Sequence, residues 1–387
     1  MVEKKLDALQ PIDLRNANSV SDIIRQMQNT SFGARRVGDA LDVLVKMYQD
    51  EDCLKILTLS GAMTPAQMSW IICDLIESKT IDVIVSTGAL ISHGLIENMG
   101  LKHYKCPDNV KDIDLYNNNT PRIYDTLELD YNLNEMEKIV YDVLDAHVEG
   151  GEFQQKQVFC SKFICEWLGE YIHDHFMDAR GILKSAFDHH VPVFIPAFTD
   201  SEMGLDFAMW SWDDNARPPF DAFADLKLFT EIVQNAPRLG VFTIGGGVPR
   251  NWTQQVAPFI ETIGERDLTY DDDIEDAMQK WREENPDKVK QFDYGVRICP
   301  EPTHLGGLSG CTYSEGISWG KFNPNGYFAE IYCDATIILP FLVKALFEQI
   351  GYPAGSNPEA VNHNYPASIA RTPGENYKHH LQPSPPG

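Results

Sequence analysis

Residues 53 to 89 constrain the fold more than any other stretch of the chain. "CLKILTLSG" is a short β-rich run ending in small polar residues. "TPAQMSWIICDLIESKT" follows, with Met68, Ile71, Ile72 and Leu75 on one helical face, and then "IDVIVSTGA", a nearly continuous hydrophobic strand that breaks into Thr-Gly-Ala. Thr64 is placed to cap that helix, with Pro65 at its first position. Strand, loop, helix, strand, loop is a parallel βαβ unit, and its right-handed crossover puts both loops at the carboxyl edge of one sheet.

The pattern recurs at "VPVFIPAFTDSEMG" (191 to 204) and "RLGVFTIGGGVPRNW" (238 to 252), and again where a strand near 327 to 332 runs through Asp334 into a helix. The expectation is one α/β domain over residues 1 to 350, Rossmann-like, its mainly parallel sheet covered by helices on both faces and its ligand crevice at the carboxyl ends of the strands. Residues 264 to 291 read as an acidic, helical insertion, and residues 351 to 387 as a Pro/Gly/Asn-rich tail in extended or disordered form.

Charge narrows the partners. A net charge of −25 repels nucleic acid and anionic membranes and favours polyamines, metals or a basic protein. The first residues hold no apolar signal core, and no run approaches the roughly 20 apolar residues of a membrane span, so a cytosolic protein is expected. Eight scattered cysteines without a CxxC pair read as reduced thiols. His173 and His175, two apart, are awkward ligands for one ion on a helix, and no metal site is expected.

Two glycine-bearing loops fall at strand ends: Thr87, Gly88 and Ala89 in one, Gly245, Gly246 and Gly247 in the other. Bare backbone there suits the close approach of a dinucleotide, although the GxGxxG fingerprint is missing and an ordinary Rossmann oxidoreductase is disfavoured. "SEGISWGKF" poses a different question. Lys321 stands behind Gly320 and Trp319, with Glu315 six residues upstream. Such a lysine either snorkels to water or is kept as a reactive amine.

With "PAFTD", "GGGV", "SEGISWGKF" and "IYCDATIILP" in this order, the chain resembles the deoxyhypusine synthase family over roughly residues 10 to 350, and most of all its bacterial, deoxyhypusine synthase-like branch. Ser-Trp-Gly-Lys, followed thirteen residues after the lysine by Asp-Ala, is the most specific part of the likeness. The resemblance implies an NAD-dependent transferase. Hydride removal turns spermidine into an imine, propane-1,3-diamine leaves, the aminobutyl group passes to Lys321 as a second imine and then to an acceptor amine, and NAD is regenerated. It also implies a homotetramer, a pair of dimers with active sites at the dimer interfaces.

The same likeness assigns residues. Trp319 walls the slot around the polyamine, Glu315 pairs with an amine terminus, and Asp334 with Ala335 contacts cofactor and substrate. Thr87, Gly88, Ala89, Asp200, Gly245, Gly246 and Gly247 hold NAD. Departures fall among the substrate contacts. Asn251 replaces the family's proton-handling histidine, Leu308 an Asp, and His93 a Glu, while Asp206 matches an Asp one position late. The amino-terminal extension of the eukaryotic enzyme is also expected to be reduced or absent. The preferred acceptor is therefore a small amine such as putrescine, giving homospermidine. The alternatives are a lysine of the hypusine-bearing translation factor as acceptor, or a silent paralogue that binds NAD or polyamine.

Overall fold

Six strands form one all-parallel sheet in the computed structural model, which describes residues 7–149, 158–212, 219–265, 274–307 and 310–351. Nine strands occur among these residues. They are β1 (Cys53–Leu59), β2 (Val83–Val85), β3 (Tyr104–Lys105), β4 (Arg122–Ile123), β5 (Thr126–Leu127), β6 (Val193–Phe194), β7 (Arg238–Ile244), β8 (Phe292–Ile298) and β9 (Phe322–Ile331). The large sheet runs β6-β2-β1-β7-β8-β9, and β3, β5 and β4 make a small antiparallel sheet apart from it. All eight cysteines are free, and five are buried. Among the described residues no helix is long and apolar enough to cross a membrane.

Alternation along each strand explains the layers. Leu57, Leu59, Ile84, Phe242 and Ile244 join one buried cluster, whereas Ile56, Val83, Val85 and Val241 join another. Successive side chains of a strand point to opposite faces, so the two clusters mark the two sides of the sheet. Helices Phe32–Gln49, Gly88–Asn98 and Ala335–Ile350 supply Leu41, Leu90 and Leu342 to the first. Helices Ala222–Gln234 and Gly247–Glu265 supply Phe229 and Val256 to the second. The single sheet with helices on both faces is the architecture the βαβ pattern implied. Helix Val20–Gln28 is tied to helix Ala335–Ile350, because Glu348 accepts a hydrogen bond from the Ser21 backbone at 2.8 Å and Gln349 donates to the Ser21 hydroxyl at 2.9 Å.

One local expectation fails. Thr64 does not cap the first crossover helix. Gln67 takes φ 61, which interrupts the run, and the helix is Ser69–Glu77. The Thr64 hydroxyl instead donates to the carbonyls of Gly61 and Leu90, stitching two loops together. The acidic insertion is only partly a solvated face, because Trp281 of helix Ile274–Glu284 is buried against Gly264. Residues 266–273 of that insertion, Leu308 and the tail 352–387 lie outside the described residues.

Candidate active site

Strand order locates the crevice. From β1 the chain builds outward through β2 to β6, then returns to the other side of β1 with β7, and the carboxyl ends of β1 and β7 flank the point of reversal. The loops there are stitched together. Ser60 donates to the Ile244 carbonyl at 3.1 Å, Gly245 to the Ile298 carbonyl at 2.8 Å, and the Ser86 hydroxyl to the Leu59 carbonyl at 2.8 Å. A Cβ on Gly88 would sit 2.0 Å from the Ser201 hydroxyl oxygen, so the loops after β2 and β6 touch and only glycine permits it. Thr87, Gly88, Ala89, Asp200, Gly245, Gly246, Gly247, Asp334 and Ala335 thus all lie along one sheet edge.

This edge fits a dinucleotide on grounds of its own. Helices Gly88–Asn98, Gly247–Glu265 and Ala335–Ile350 all begin there, with positive dipole ends that favour a pyrophosphate. Thr87 precedes the first of them without capping it through its side chain, so first-turn N–H groups remain for a ligand. Asp334 is already engaged. Its carboxylate caps helix Ala335–Ile350 by accepting from the Thr336 amide at 2.8 Å and hydroxyl at 2.9 Å. Asp200 is exposed, and Ser201, not Asp200, caps the helix Glu202–Ser211.

Lys321 is positioned by a separate segment of the chain. Helix Tyr313–Ser318 is capped by Thr312, and Gly320 ends the turn at φ 69, letting the Lys321 amide donate back to the Gly316 carbonyl at 3.0 Å. That reversal turns the lysine inward. Lys321 is 7 % exposed, while Trp319 beside it is 64 % exposed and so is not a core residue. The Lys321 amine donates to Asn251 Oδ1 at 3.0 Å. Burial lowers its pKa, and the Arg250 guanidinium pushes the same way against Cys311 and Glu315. A neutral amide partner does little to favour the ammonium, so the amine is left closer to its nucleophilic form.

The remaining substrate candidates sit across the sheet. Asp206 is buried on helix Glu202–Ser211, whose Met203 and Phe207 join the cluster opposite the one that holds Tyr313 and Phe322. Its Oδ2 has no hydrogen-bond partner among the described residues, and burial, with Glu137 and Glu202 adding to it, raises the carboxyl to about 7. His93, on helix Gly88–Asn98, lies 2.6 Å through Nδ1 from Glu128 Oε2. Its neighbour His103 approaches Glu128 and Glu97 at 3.5 Å each. Burial opposes charge on His103, but the two carboxylates outweigh it and raise the imidazole to about 9. One chain therefore gathers the glycine-bearing loops at the edge, Lys321, Asn251, Glu315 and Trp319 on one side, and Asp206 and His93 on the other.

Arg297 escaped the sequence reading. It lies in an apolar strand, "VRICP", yet it is 1 % exposed, and its Nε donates to the Gly245 carbonyl at 3.3 Å while both terminal nitrogens lack partners among the described residues. A buried guanidinium so placed fixes the first carbonyl of the glycine run. Only its position next to that run in space, not in sequence, marks it. His173 and His175 have separate partners, Asp188 at 2.6 Å and the Tyr171 carbonyl at 2.9 Å.

Comparison with known proteins agrees with this fold. The family model of deoxyhypusine synthase matches residues 22–346. "Probable deoxyhypusine synthase 1" of Methanosarcina acetivorans is 34% identical over 331 residues, 85% of this chain and 90% of the relative. "Probable deoxyhypusine synthase 2" of Archaeoglobus fulgidus is 31% identical over 83% of this chain and 95% of its own length. The "deoxyhypusine synthase-like protein" of Chlorobaculum parvum is 29% identical over 84% of this chain and 85% of its own. In fold, a solved Entamoeba histolytica protein described as a deoxyhypusine synthase superposes with TM-score 0.54 at 14% identity, covering 88% of this chain and 97% of that one. With the sequence match running from the first helix through the last, this chain belongs to the deoxyhypusine synthase family.

Proposed function

We propose that the chain is an NAD-dependent aminobutyl transferase that takes the group from spermidine or a related polyamine, carries it on Lys321, and delivers it to a small amine such as putrescine to make homospermidine. The observation behind this reading is the buried Lys321 amine, made less basic by burial and held by a neutral Asn251. NAD, held by the loops at 86–89, 200 and 245–247 with Asp334 and Ala335, supplies a hydride acceptor for the donor amine and a hydride source for the product.

The chain's own groups do the rest. The neutral Lys321 amine adds to the carbon of the donor imine, the bond to propane-1,3-diamine breaks, and the diamine leaves with the proton that Lys321 gives up. The aminobutyl group stays as a lysine imine. An acceptor amine adds to the same carbon, the bond to Lys321 breaks, and the lysine recovers its proton. Trp319 offers an exposed face against polyamine methylenes and ammonium groups, and Glu315, exposed on the same short helix, an acidic end point. Asp206 and His93 lie across the sheet from these residues, which favours a site shared between two copies of the chain, within the expected homotetramer.

Borohydride added during turnover with spermidine and NAD tests the covalent step. Wild-type protein should trap an aminobutyl adduct on the peptide containing Lys321, and Lys321→Arg should trap none, because a guanidinium stays protonated. An Arg variant with normal product formation would sink the mechanism, and no adduct on the wild type would favour the silent paralogue. A second reading, transfer to a lysine of the hypusine-bearing translation factor, is favoured by the names of the archaeal relatives and by a charge of −25 that suits a basic protein. Supplying putrescine and that factor in parallel separates the two.

A further inference from the structure

We propose that His93, His103 and Glu128 form a binding site for a divalent transition-metal ion, Zn²⁺ above all, which clamps the helix behind the cofactor loop to the small sheet. One ligand atom from each residue lies within 4.8 Å of the others. Two imidazoles and a carboxylate are a donor set suited to Zn²⁺, with a fourth position left for water. Ligand atoms around a tetrahedral zinc stand about 3.3 Å apart. His103 Nε2 stands 3.5 Å from one Glu128 oxygen and His93 Nδ1 2.6 Å from the other, so the carboxylate faces both imidazoles and the shorter pair has to open by about 0.7 Å to admit an ion.

Two observations suit an ion taking the place of the protons that hold these side chains together. First, His93 Nδ1, both nitrogens of His103 and both oxygens of Glu128 are buried, and among the described residues these atoms meet carboxylate or imidazole only as ion pairs without aligned hydrogen bonds. Glu128 as a whole is 2 % exposed, and its two oxygens face one imidazole each, so a cation between them would meet three ligands already turned toward it. Second, the surroundings are ordered as around a metal. His103 turns Nδ1 toward Glu97 Oε1 at 3.5 Å, and Glu97 is itself fixed by Gln67 Nε2 at 2.6 Å and the Ser69 hydroxyl at 2.8 Å. A carboxylate behind a histidine sets the ring's orientation and strengthens it as a ligand.

Access and consequence follow from the fold. Gln67, Glu97, Lys102 and His103 line a cavity of about 700 Å³. His103 immediately precedes β3, Glu128 immediately follows β5, and Tyr104 pairs with Leu127 across them. The ion would therefore join both strands to helix Gly88–Asn98, which starts at the cofactor loop. This inference is independent of the reaction proposed for Lys321.

The test uses the full chain, stripped with a chelator and titrated with Zn²⁺ in a calorimeter. One ion per chain and a raised Tm are expected, with Co²⁺ giving the visible absorption of a four- or five-coordinate site. His103→Gln and Glu128→Gln should each weaken uptake at least tenfold, with far-UV circular dichroism as a check on folding. X-ray absorption of the Zn²⁺-loaded wild type needs no variant and should show two imidazole ligands. No saturable uptake, uptake unchanged in the His93→Asn/His103→Gln double variant, or zinc without imidazole ligands would overturn the site and leave a proton-held ion-pair cluster.

Discussion

Asp206 shows how a side chain's surroundings set a testable pH dependence. Burial, then the charges of Glu137 and Glu202, hold its carboxyl at about 7 in the folded protein, against 3.8 as its ordinary value. The folded chain therefore keeps a proton that the unfolded chain loses between those two values, so stability falls as pH rises through that window and the full penalty is present above about 7. Asp206→Asn should raise stability by roughly 1–3 kcal/mol above pH 7 and change it little near pH 4, read by urea unfolding at both. Spermidine binding by the wild type should strengthen as pH passes through about 7, when the carboxylate becomes able to pair with an ammonium. An equal stability gain at both pH values would show that the residue is merely misfit. Asp206 was legible in the chain only through its family position, and its unpaired oxygen was not. Lys321 was legible because Ser-Trp-Gly-Lys is compact and local. His103 and Glu128 were not, because ten and thirty-five residues separate them from His93 and only the small sheet brings them together.

Among the elements, the loops at the carboxyl edge were the most readable part of the sequence, since each is a hydrophobic strand breaking into small residues. Their mutual contact was not readable. Gly88 meets the Ser201 side chain, and a methyl group there has to push two loops apart. Gly88→Ala should cost about 1–3 kcal/mol in stability from overpacking and weaken NAD binding at least about tenfold through displacement of the lip. Gly33→Ala is the control, because a Cβ at Gly33 meets nothing within 4 Å. Calorimetric NAD titration decides, and equal affinity for the two variants would remove the loop at 86–89 from the cofactor site. The misplaced start of the first crossover helix has a similar cause. Thr-Pro is a strong local signal for a helix start, but Thr64 finds tertiary partners in Gly61 and Leu90, and Gln67 adopts a left-handed backbone that propensity does not reveal.

At the level of the molecule, the sheet separates Lys321 from Asp206, and a shared site requires that two copies complete each other. Two inactive chains, one Lys321→Arg and the other Gly88→Trp to block the crevice, should regain about one quarter of wild-type activity when co-assembled, because half of the random pairs are mixed and each mixed pair holds one intact site. Failure to regain any activity would place the whole site within one chain. The clasp between Ser21 and the Glu348–Gln349 pair bears on a separate matter, the synthesis of the protein. The opening helices emerge from the ribosome long before the helix that covers them, and β1 waits 185 residues for β7 to be made. Until Ala335–Ile350 clears the exit tunnel the growing polypeptide has no finished core, so a nascent chain stalled before that point presents bare apolar helices to the cell, a natural client for chaperones.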